Sequence, residues 1–252
     1  MNDYTIINEF TLPSKGLVYP GSINPQVRLR SMTTAEEMKR LNHSDRAYKT
    51  TAEVINDCIV DPIGIHVYDM CIPDYQFLLH KLRIVTYGPE YKSGSRCPFC
   101  ATDNTHTIDL EHDLKLIPFD KELFDKYSEI TLPQSKKVIK LRMQSPRILD
   151  EITIKAKEIR KTSPEYIGDP AFLVTLQMLI DTIDGVAYQE FQLEPFIRKL
   201  PMMDTNYILK AAQKINTSFG LDSELNPTCS FCGLDYKSSF RITSEFFGPS
   251  ID

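Results

Sequence analysis

The sequence predicts an α+β fold: a mostly helical body, a small β element whose two halves lie far apart in the chain, and a short N-terminal β segment. Three observations carry this. First, 42% of the 252 residues are hydrophobic and 25% charged, the composition of a globular chain able to bury a real core rather than of a collagen-like or disordered one. Second, apolar residues recur at helical spacing, flanked by capping residues, through much of the chain. Third, two Cys-x-x-Cys pairs each stand shortly before a run that alternates like a strand.

Residues 1–32 form the N-terminal segment. Pro13, Gly16, Pro20, Gly21 and Pro25 punctuate short apolar pieces, and Val27-Arg28-Leu29-Arg30 alternates as a half-buried strand does. The stretch from Leu12 to Pro20 reads as a surface connection. Thr34 with Glu37 three positions on reads as a capping box that opens a helix toward Leu41. A second helix covers 51–59. Pro73 and Asp74 open a third, with Phe77, Leu78, Leu82 and Val85 on one side, and it ends near Gly88-Pro89.

Residues 91–118 break the helical pattern with Ser93-Gly94-Ser95, a Cys pair and the alternating run Thr107-Ile108-Asp109-Leu110. A short helix follows near 120–129. Then Ile139, Leu141 and Met143 alternate with Lys140 and Arg142 in a strand with one wet face. From 146 a helix runs to Ser163-Pro164. Asp169 followed by Pro170 is an N-cap with proline at the first helical position. Phe172, Leu173, Leu176, Leu179, Ile180 and Ile183 then recur in one helix that Gly185 stops. The last helix opens at Asp204, carries Ile208, Ala211, Ala212 and Ile215 on one face, and closes with Gly220. Residues 226–248 return to turns and strand. No low-complexity linker interrupts the chain, and 1–252 reads as one integrated domain because the two halves of its β element come from distant parts of it. In it, 91–118 and 226–248 are two halves of one β element, and 119–225 is a mainly helical insertion.

Charge and hydropathy narrow the function. There are 29 Lys and Arg against 34 Asp and Glu, a net charge of −5. Proteins that grip nucleic acid draw most of that affinity from phosphate contacts and are usually basic. No stretch approaches the ~20 apolar residues that span a bilayer. Residues 1–10 lack the basic and apolar regions of a secretory signal, so the chain is expected to stay in the compartment where it is made. Six cysteines in such a chain point to thiols or metal ligands rather than a disulfide framework.

The two Cys pairs carry the chemistry: Cys97-Pro98-Phe99-Cys100 and Cys229-Ser230-Phe231-Cys232. A Cys-x-x-Cys turn points two sulfurs to one side, and two such turns supply the four thiolates of a closed structural zinc site. About half the chain separates the pairs, so their pairing needs independent support. The flanks supply it. With Cys97 laid on Cys229, Phe99 falls on Phe231, Cys100 on Cys232 and Asp103 on Asp235. Eight residues past the second Cys of each pair an apolar-polar-apolar strand is expected, Ile108-Asp109-Leu110 and Phe240-Arg241-Ile242. Knuckle then strand, twice, is the plan of a zinc ribbon split between distant parts of the chain.

Three other readings stand beside it. A redox dithiol belongs at a helix N-terminus, whereas both pairs here lead into strands. Cys97, Cys100, His106 and His112 could form a site by themselves, although His106 is expected on the wet side of the strand that holds Ile108. The cysteines could also simply be buried thiols, as Cys58 and Cys71 are expected to be. No nucleophile elbow, phosphate loop or dinucleotide fingerprint is present. Glu36 and Glu37 read as helix N-terminal charge, and His43, His66 and His80 as structural or solvated. No catalytic residue, no cofactor besides the metal and no small-molecule substrate is expected.

Three segments together resemble a known family. They are Leu12-Pro13-Ser14-Lys15-Gly16-Leu17-Val18-Tyr19-Pro20 with Val27 to Arg30 and Met32 to Glu37; Leu82-Arg83, Thr86-Tyr87-Gly88 and Tyr91 running into Cys97-Pro98-Phe99-Cys100; and Cys229 to Gly233 followed by Phe240 and Thr243-Ser244-Glu245-Phe246-Phe247. In this order they resemble the baseplate hub assembly proteins of T-even-type contractile-tailed phages. The resemblance implies work in building the tail baseplate through contacts with other hub proteins in the host cell cytoplasm. Assembly factor and permanent hub subunit both fit it. Phe246 and Phe247 read either as core or as a docking segment. A zinc-ribbon regulator that binds nucleic acid is the alternative of another class, with Lys136, Lys137, Lys140, Arg142, Lys155, Lys157, Arg160 and Lys161 as its basic face.

Overall fold

The computed structural model describes residues 5–248 except 43, 164, 241 and 243. His43, Pro164, Arg241 and Thr243 therefore lie outside the description, as do residues 1–4 and 249–252.

Strands β1 (Ile7–Thr11) and β2 (Gln26–Arg30) pair antiparallel, from Ile7 opposite Arg30 to Thr11 opposite Gln26. The alternation in β2 does what it promised: Val27 and Leu29 are buried, Gln26 and Arg28 are not. The loop between the strands is not a surface connection. Leu12, Pro13 and Ser14 are buried, because a carboxylate of the helix beneath draws the loop in. Its turn passes through the left-handed region at Lys15 and Gly16, with φ of 52° and 77°. A Cβ at Gly16 would also meet Ile23 Cγ1 at 3.1 Å, so glycine is needed there.

Helices α1 (Thr34–Arg40), α2 (Ala47–Cys58) and α3 (Ile72–Tyr87) follow. The capping box of α1 is Thr33 with Glu36, one residue earlier than the sequence placed it. A tertiary partner decides the register, since Arg30 of β2 bonds Glu36 at 2.7 Å. α2 opens at Ala47 rather than Thr51. Its own N-cap residue, Arg46, makes no side-chain cap. Asp150, far along the chain, accepts the Tyr48 and Lys49 backbone N–H groups at 3.3 and 2.9 Å instead. α3 starts and stops as expected, with proline in its first turn and Gly88 at its C-cap. It is buried on nearly every side and forms the axis of the first core.

Strands β3 (Glu90–Arg96) and β4 (Asp103–Asp109) form a hairpin, Glu90 opposite Asp109 and Arg96 opposite Asp103. After β5 (Leu116–Ile117) and α4 (Lys121–Ser128) come β6 (Glu129–Thr131) and β7 (Val138–Leu141). Then come α5 (Pro146–Thr162), α6 (Pro170–Leu179), β8 (Ile180–Ile183), β9 (Val186–Ala187), α7 (Glu190–Ile197) and α8 (Met202–Thr217). Three short strands, β10 (Gly220–Leu221), β11 (Glu224–Leu225) and β12 (Ser238–Ser239), precede a closing 3-10 turn at Ser244–Phe247.

The region 119–225 is thus less purely helical than expected. β6, β7, β8 and β9 make a four-stranded antiparallel sheet in chain order. The apolar run that read as one helix to Gly185 is α6 followed by β8. Strand β7 offers a ladder to Ile180–Ile183, and the turn at Asp184-Gly185 closes a hairpin with β9. Asp204 does not open α8. It sits buried in the first turn and accepts the backbone N–H groups of Gln134 and Ser135, both at 2.8 Å, which fastens the β6–β7 connection.

Among the described residues two large apolar cores form, beside a small cluster of Cys97, Cys229 and Tyr236. The first surrounds α3 and takes in Val27, Leu29, Ile55 and Leu82, together with Phe240, Phe246 and Phe247 from the far end of the chain. The second lies between the four-stranded sheet and α6, α7 and α8, around Ile139, Leu176, Ile208 and Ile215. Asp150 joins them from α5, and β10, paired with β5, packs Gly220 against Pro73 of α3. Phe246 is fully buried and Phe247 nearly so, with Phe246 5.5 Å from the Tyr91 ring, so the pair is core. The strand expected to begin at Phe240 lies earlier, at β12, and Phe240 itself turns into the first core. No described helix is long and apolar enough to cross a membrane.

Candidate metal centre

Each Cys pair closes a hairpin by the same backbone geometry. In the first, between β3 and β4, the Cys97 N–H donates to Thr102 O at 2.9 Å and the Ala101 N–H to Cys97 O at 3.0 Å. In the second, between β11 and β12, the Cys229 N–H donates to Leu234 O and the Gly233 N–H to Cys229 O, both at 3.0 Å. The residue after each second Cys adopts a left-handed φ, 60° at Ala101 and 71° at Gly233. Arg96 faces Asp103 across the first hairpin, and Thr228 faces Asp235 across the second. The alignment of Cys97 on Cys229 therefore holds in three dimensions. The strand after each pair begins sooner than expected, at Asp103 and with the Thr228–Asp235 bridge.

The two knuckles face each other. Cys97 Sγ lies 3.8 Å from Cys232 Sγ, and Cys100 Sγ lies 3.6 Å from Cys229 Sγ. All four sulfurs fall within 4.8 Å of one another. Sulfurs at ~2.3 Å from a tetrahedral zinc stand about 3.8 Å apart, so the cluster has the size of that coordination shell. A disulfide would need about 2.05 Å. Cys97 and Cys229 are buried, and Cys100 and Cys232 half-buried.

The thiols do not titrate alike. The Cys232 and Phe231 backbone N–H groups, against some burial, hold Cys229 down to about 6. Thr102 lowers Cys100. At Cys232 the Leu234 N–H favours the thiolate, but burial and the three neighbouring sulfurs outweigh it and push the thiol up to about 12. Four sulfurs this close cannot all carry charge without a cation between them.

Polar side chains lock the hairpins together behind the sulfurs. Asn104 of β4 accepts the Ser230 backbone N–H at 2.9 Å and the Ser230 hydroxyl at 2.7 Å. The Tyr236 hydroxyl shares hydrogen bonds with Ser95 Oγ at 2.6 Å and His106 Nε2 at 3.1 Å. Sequence reasoning missed Asn104 and Tyr236, because each matters only once the hairpins meet. His106 is not on the wet face. It has the same parity as Ile108, and the second hairpin covers that face. Its Nε2 is engaged with Tyr236, while His112 is exposed and pairs with Asp109 at 2.9 Å. Neither joins the four-sulfur cluster.

The remaining candidates fall to structure. Cys58 and Cys71 are buried apart from the cluster, and burial pushes the Cys58 thiol up to about 12. Glu36 bonds Arg30, and Glu37 bonds Arg40 at 2.6 Å. His66 Nδ1 accepts the Tyr68 backbone N–H at 3.1 Å and caps a 3-10 turn. His80 is buried against Phe240 and Phe246, and burial holds it down to about 4.

A family model described as T4 bacteriophage base plate protein matches residues 4–248, nearly the whole chain. The chain belongs to this baseplate family. No curated protein and no solved structure gives a match. Membership places the chain among phage baseplate proteins, and its partners among the proteins of that assembly. Both Cys knuckles and all three N-terminal, central and C-terminal segments quoted above lie within the matched residues.

Proposed function

We propose that this baseplate-family chain is an assembly factor for the central hub of the phage tail. On this reading it works by protein–protein contact in the host cell cytoplasm and carries a structural zinc. The observation that carries it is the four-sulfur cluster inside a chain matched almost end to end by the baseplate family. Cys97, Cys100, Cys229 and Cys232 would hold the ion as thiolates, in a zinc ribbon assembled from the β3–β4 and β11–β12 hairpins. The ion supplies closure: it compensates four neighbouring charges and ties the two hairpins into one unit, a contribution on the order of 10 kcal/mol in such sites. Four protein ligands leave no position for a reacting water. Binding, not catalysis, is then the work of the chain.

Nucleic acid finds little free charge here. Of the eight cations that could form a basic face, six pair with carboxylates. Lys137 meets Asp184, Lys140 and Arg142 meet Asp181, Lys155 meets Glu190, Lys157 meets Asp45 and Arg160 meets Asp169. The phosphate contacts that drive such binding would have to displace them.

Two measurements test the proposal. Native mass spectrometry with elemental analysis should find one zinc per chain that chelation removes; a metal-free chain with four freely reactive thiols sinks the zinc site. Pull-downs from infected cells should recover hub proteins with this chain, while purified virions lack it. Its presence in the finished baseplate would make it a permanent hub subunit instead.

A further inference from the structure

The two hairpins that carry the cysteines touch at both ends. Their tips meet at the four sulfurs. Their roots meet in the α3 core, where the ring of Tyr91 in β3 faces that of Phe240, the residue after β12, at 5.6 Å between centroids. Phe240 still belongs to the second hairpin, because its N–H donates to Ser223 O at 2.7 Å, one step beyond the Glu224–Ser239 pair of the β11–β12 ladder. Phe246 and Phe247 follow in the closing 3-10 turn. Phe246 meets Tyr91, Phe240 and Phe247 edge-on and stands 5.2 Å from the His80 ring of α3. The Arg40 guanidinium lies over the Phe247 ring at 5.4 Å. Phe240, Phe246 and Phe247 thus plug the α3 core from the far end of the chain.

Burying these rings favours closure, and ordering the whole segment that carries them opposes it. The ladder behind the plug, β11 against β12, is two residues long, and a hairpin of that size is marginal in water. Between Cys232 and Phe240 the one buried residue is Tyr236. Its ring packs against Cys97 and Cys229, and its hydroxyl bonds Ser95 and His106. The middle of the second hairpin is therefore fastened to the first through the cysteine cluster and its polar neighbours. Cysteines closed on an ion fix the tips, the tips fix Tyr236, and Tyr236 fixes the strand whose end places Phe240.

We propose that the two hairpins form a metal-dependent latch. With the four cysteines closed on an ion, Phe240, Phe246 and Phe247 seal the α3 core; with the ion stripped, the closing segment leaves and uncovers Tyr91 and His80. The proposal rests on the reading of the cluster as a metal site. It reaches further, because it ties the ion to a core that includes none of the four cysteines and gives the chain a closed and an open form. The coupling is reciprocal: an ion that favours the docked plug is favoured by it to the same factor.

The test uses the full-length protein, zinc-loaded and then stripped with EDTA, with metal content read by native mass spectrometry and exposure by hydrogen exchange. Stripping should raise exchange in residues 244–247 and in α3 around His80, while α6 and α8 of the second core keep their protection, and zinc added back should restore it. In the other direction, Phe246→Ala should weaken zinc binding about tenfold in competition with a chromophoric chelator. Phe246→Leu, which leaves an apolar side chain in the core, should weaken it by less, and Phe191→Ala, at an exposed position of α7, not at all. If stripping loosens only the two hairpins and residues 244–247 stay protected, the latch is overturned and the metal site stands. Equal zinc affinity in wild type and both Phe246 variants has the same meaning. Loss of protection through the second core as well shows an ion that holds the whole fold, which also overturns the latch. A chain that binds no zinc overturns the metal reading, and the latch with it.

Discussion

The Asp74 carboxylate on α3 accepts the backbone N–H of Ser14, 60 positions earlier in the chain, at 3.0 Å. The same carboxylate takes the Ser14 hydroxyl and, at 2.7 Å, the Tyr19 hydroxyl. Both Asp74 and Ser14 are fully buried. A segment with the turn residues of a surface loop is thereby part of the core. Asp74→Ala strands several buried donors and should cost about 2–4 kcal/mol. Denaturant unfolding reads the loss, and trypsin should begin to cut after exposed Lys15. A loop still resistant to trypsin in that variant would mean that packing of Leu12 and Pro13 alone holds it.

One ion shared by both hairpins, as proposed, would make the cysteines interdependent. Cys97→Ser and Cys229→Ser should each abolish metal binding and raise hydrogen exchange in both β3–β4 and β11–β12 to a similar extent. Exchange confined to the mutated hairpin would show two separate structural units.

Glu36 shows a pH dependence with a defined sign. The Arg30 bond, opposed by burial and helped by Thr33, holds its carboxyl down to about 2. A depressed carboxyl contributes stability that is fully present above its unfolded value near 4.5 and lost as pH falls through the folded one. Glu36→Gln should therefore destabilise at neutral pH by about 1–2 kcal/mol. The gap to wild type should close between pH 4.5 and 2 in acid unfolding titrations.

Asp150 links the two cores by capping α2 from α5, and it also accepts the Tyr68 hydroxyl at 3.1 Å. Asp150→Ala should cost about 2–3 kcal/mol. It should also split a single thermal transition into two in calorimetry, the α3 core and the sheet core melting apart. A single transition merely shifted downward would show that the remaining contacts between the cores suffice.

Gly220 has no substitute. Its φ is +99°, and a Cβ would lie 2.9 Å from the Pro73 Cβ. Gly220→Ala combines backbone strain with a clash against α3 and should cost about 2 kcal/mol or more by denaturant unfolding. Gly185→Ala, with open space around it, isolates the backbone contribution for comparison.

Where the reading along the chain succeeded, short-range chemistry was sufficient. Proline and glycine bounded α3, Asp169-Pro170 opened α6, and two-residue alternation marked β2 and β7. Where it failed, a distant partner outweighed local preference. β3, with its Ser-Gly-Ser, has little strand propensity and is a strand because β4 lies beside it. Ile180–Ile183 continues a helical apolar pattern yet joins β7, since Ile180 and Ile183 stand at a spacing a helix also offers and only the β7 ladder decides between the two. The α1 cap shifted by one residue toward Arg30, and α2 gained a turn from Asp150.

The four cysteines divide the same way. Sequence by itself determined the two knuckles: the Cys-x-x-Cys turns, their matched flanks and a ligand set suited to one tetrahedral ion, because a turn of five or six residues is governed by its own backbone and side chains. Only the tertiary structure decided that the knuckles meet. Their meeting depends on Asn104 holding Ser230, on Tyr236 bridging Ser95 and His106, and on Phe240 and Phe246 carrying the far end of the chain into the α3 core. Those contacts span more than a hundred positions, and no local pattern encodes which distant surface a buried side chain will find.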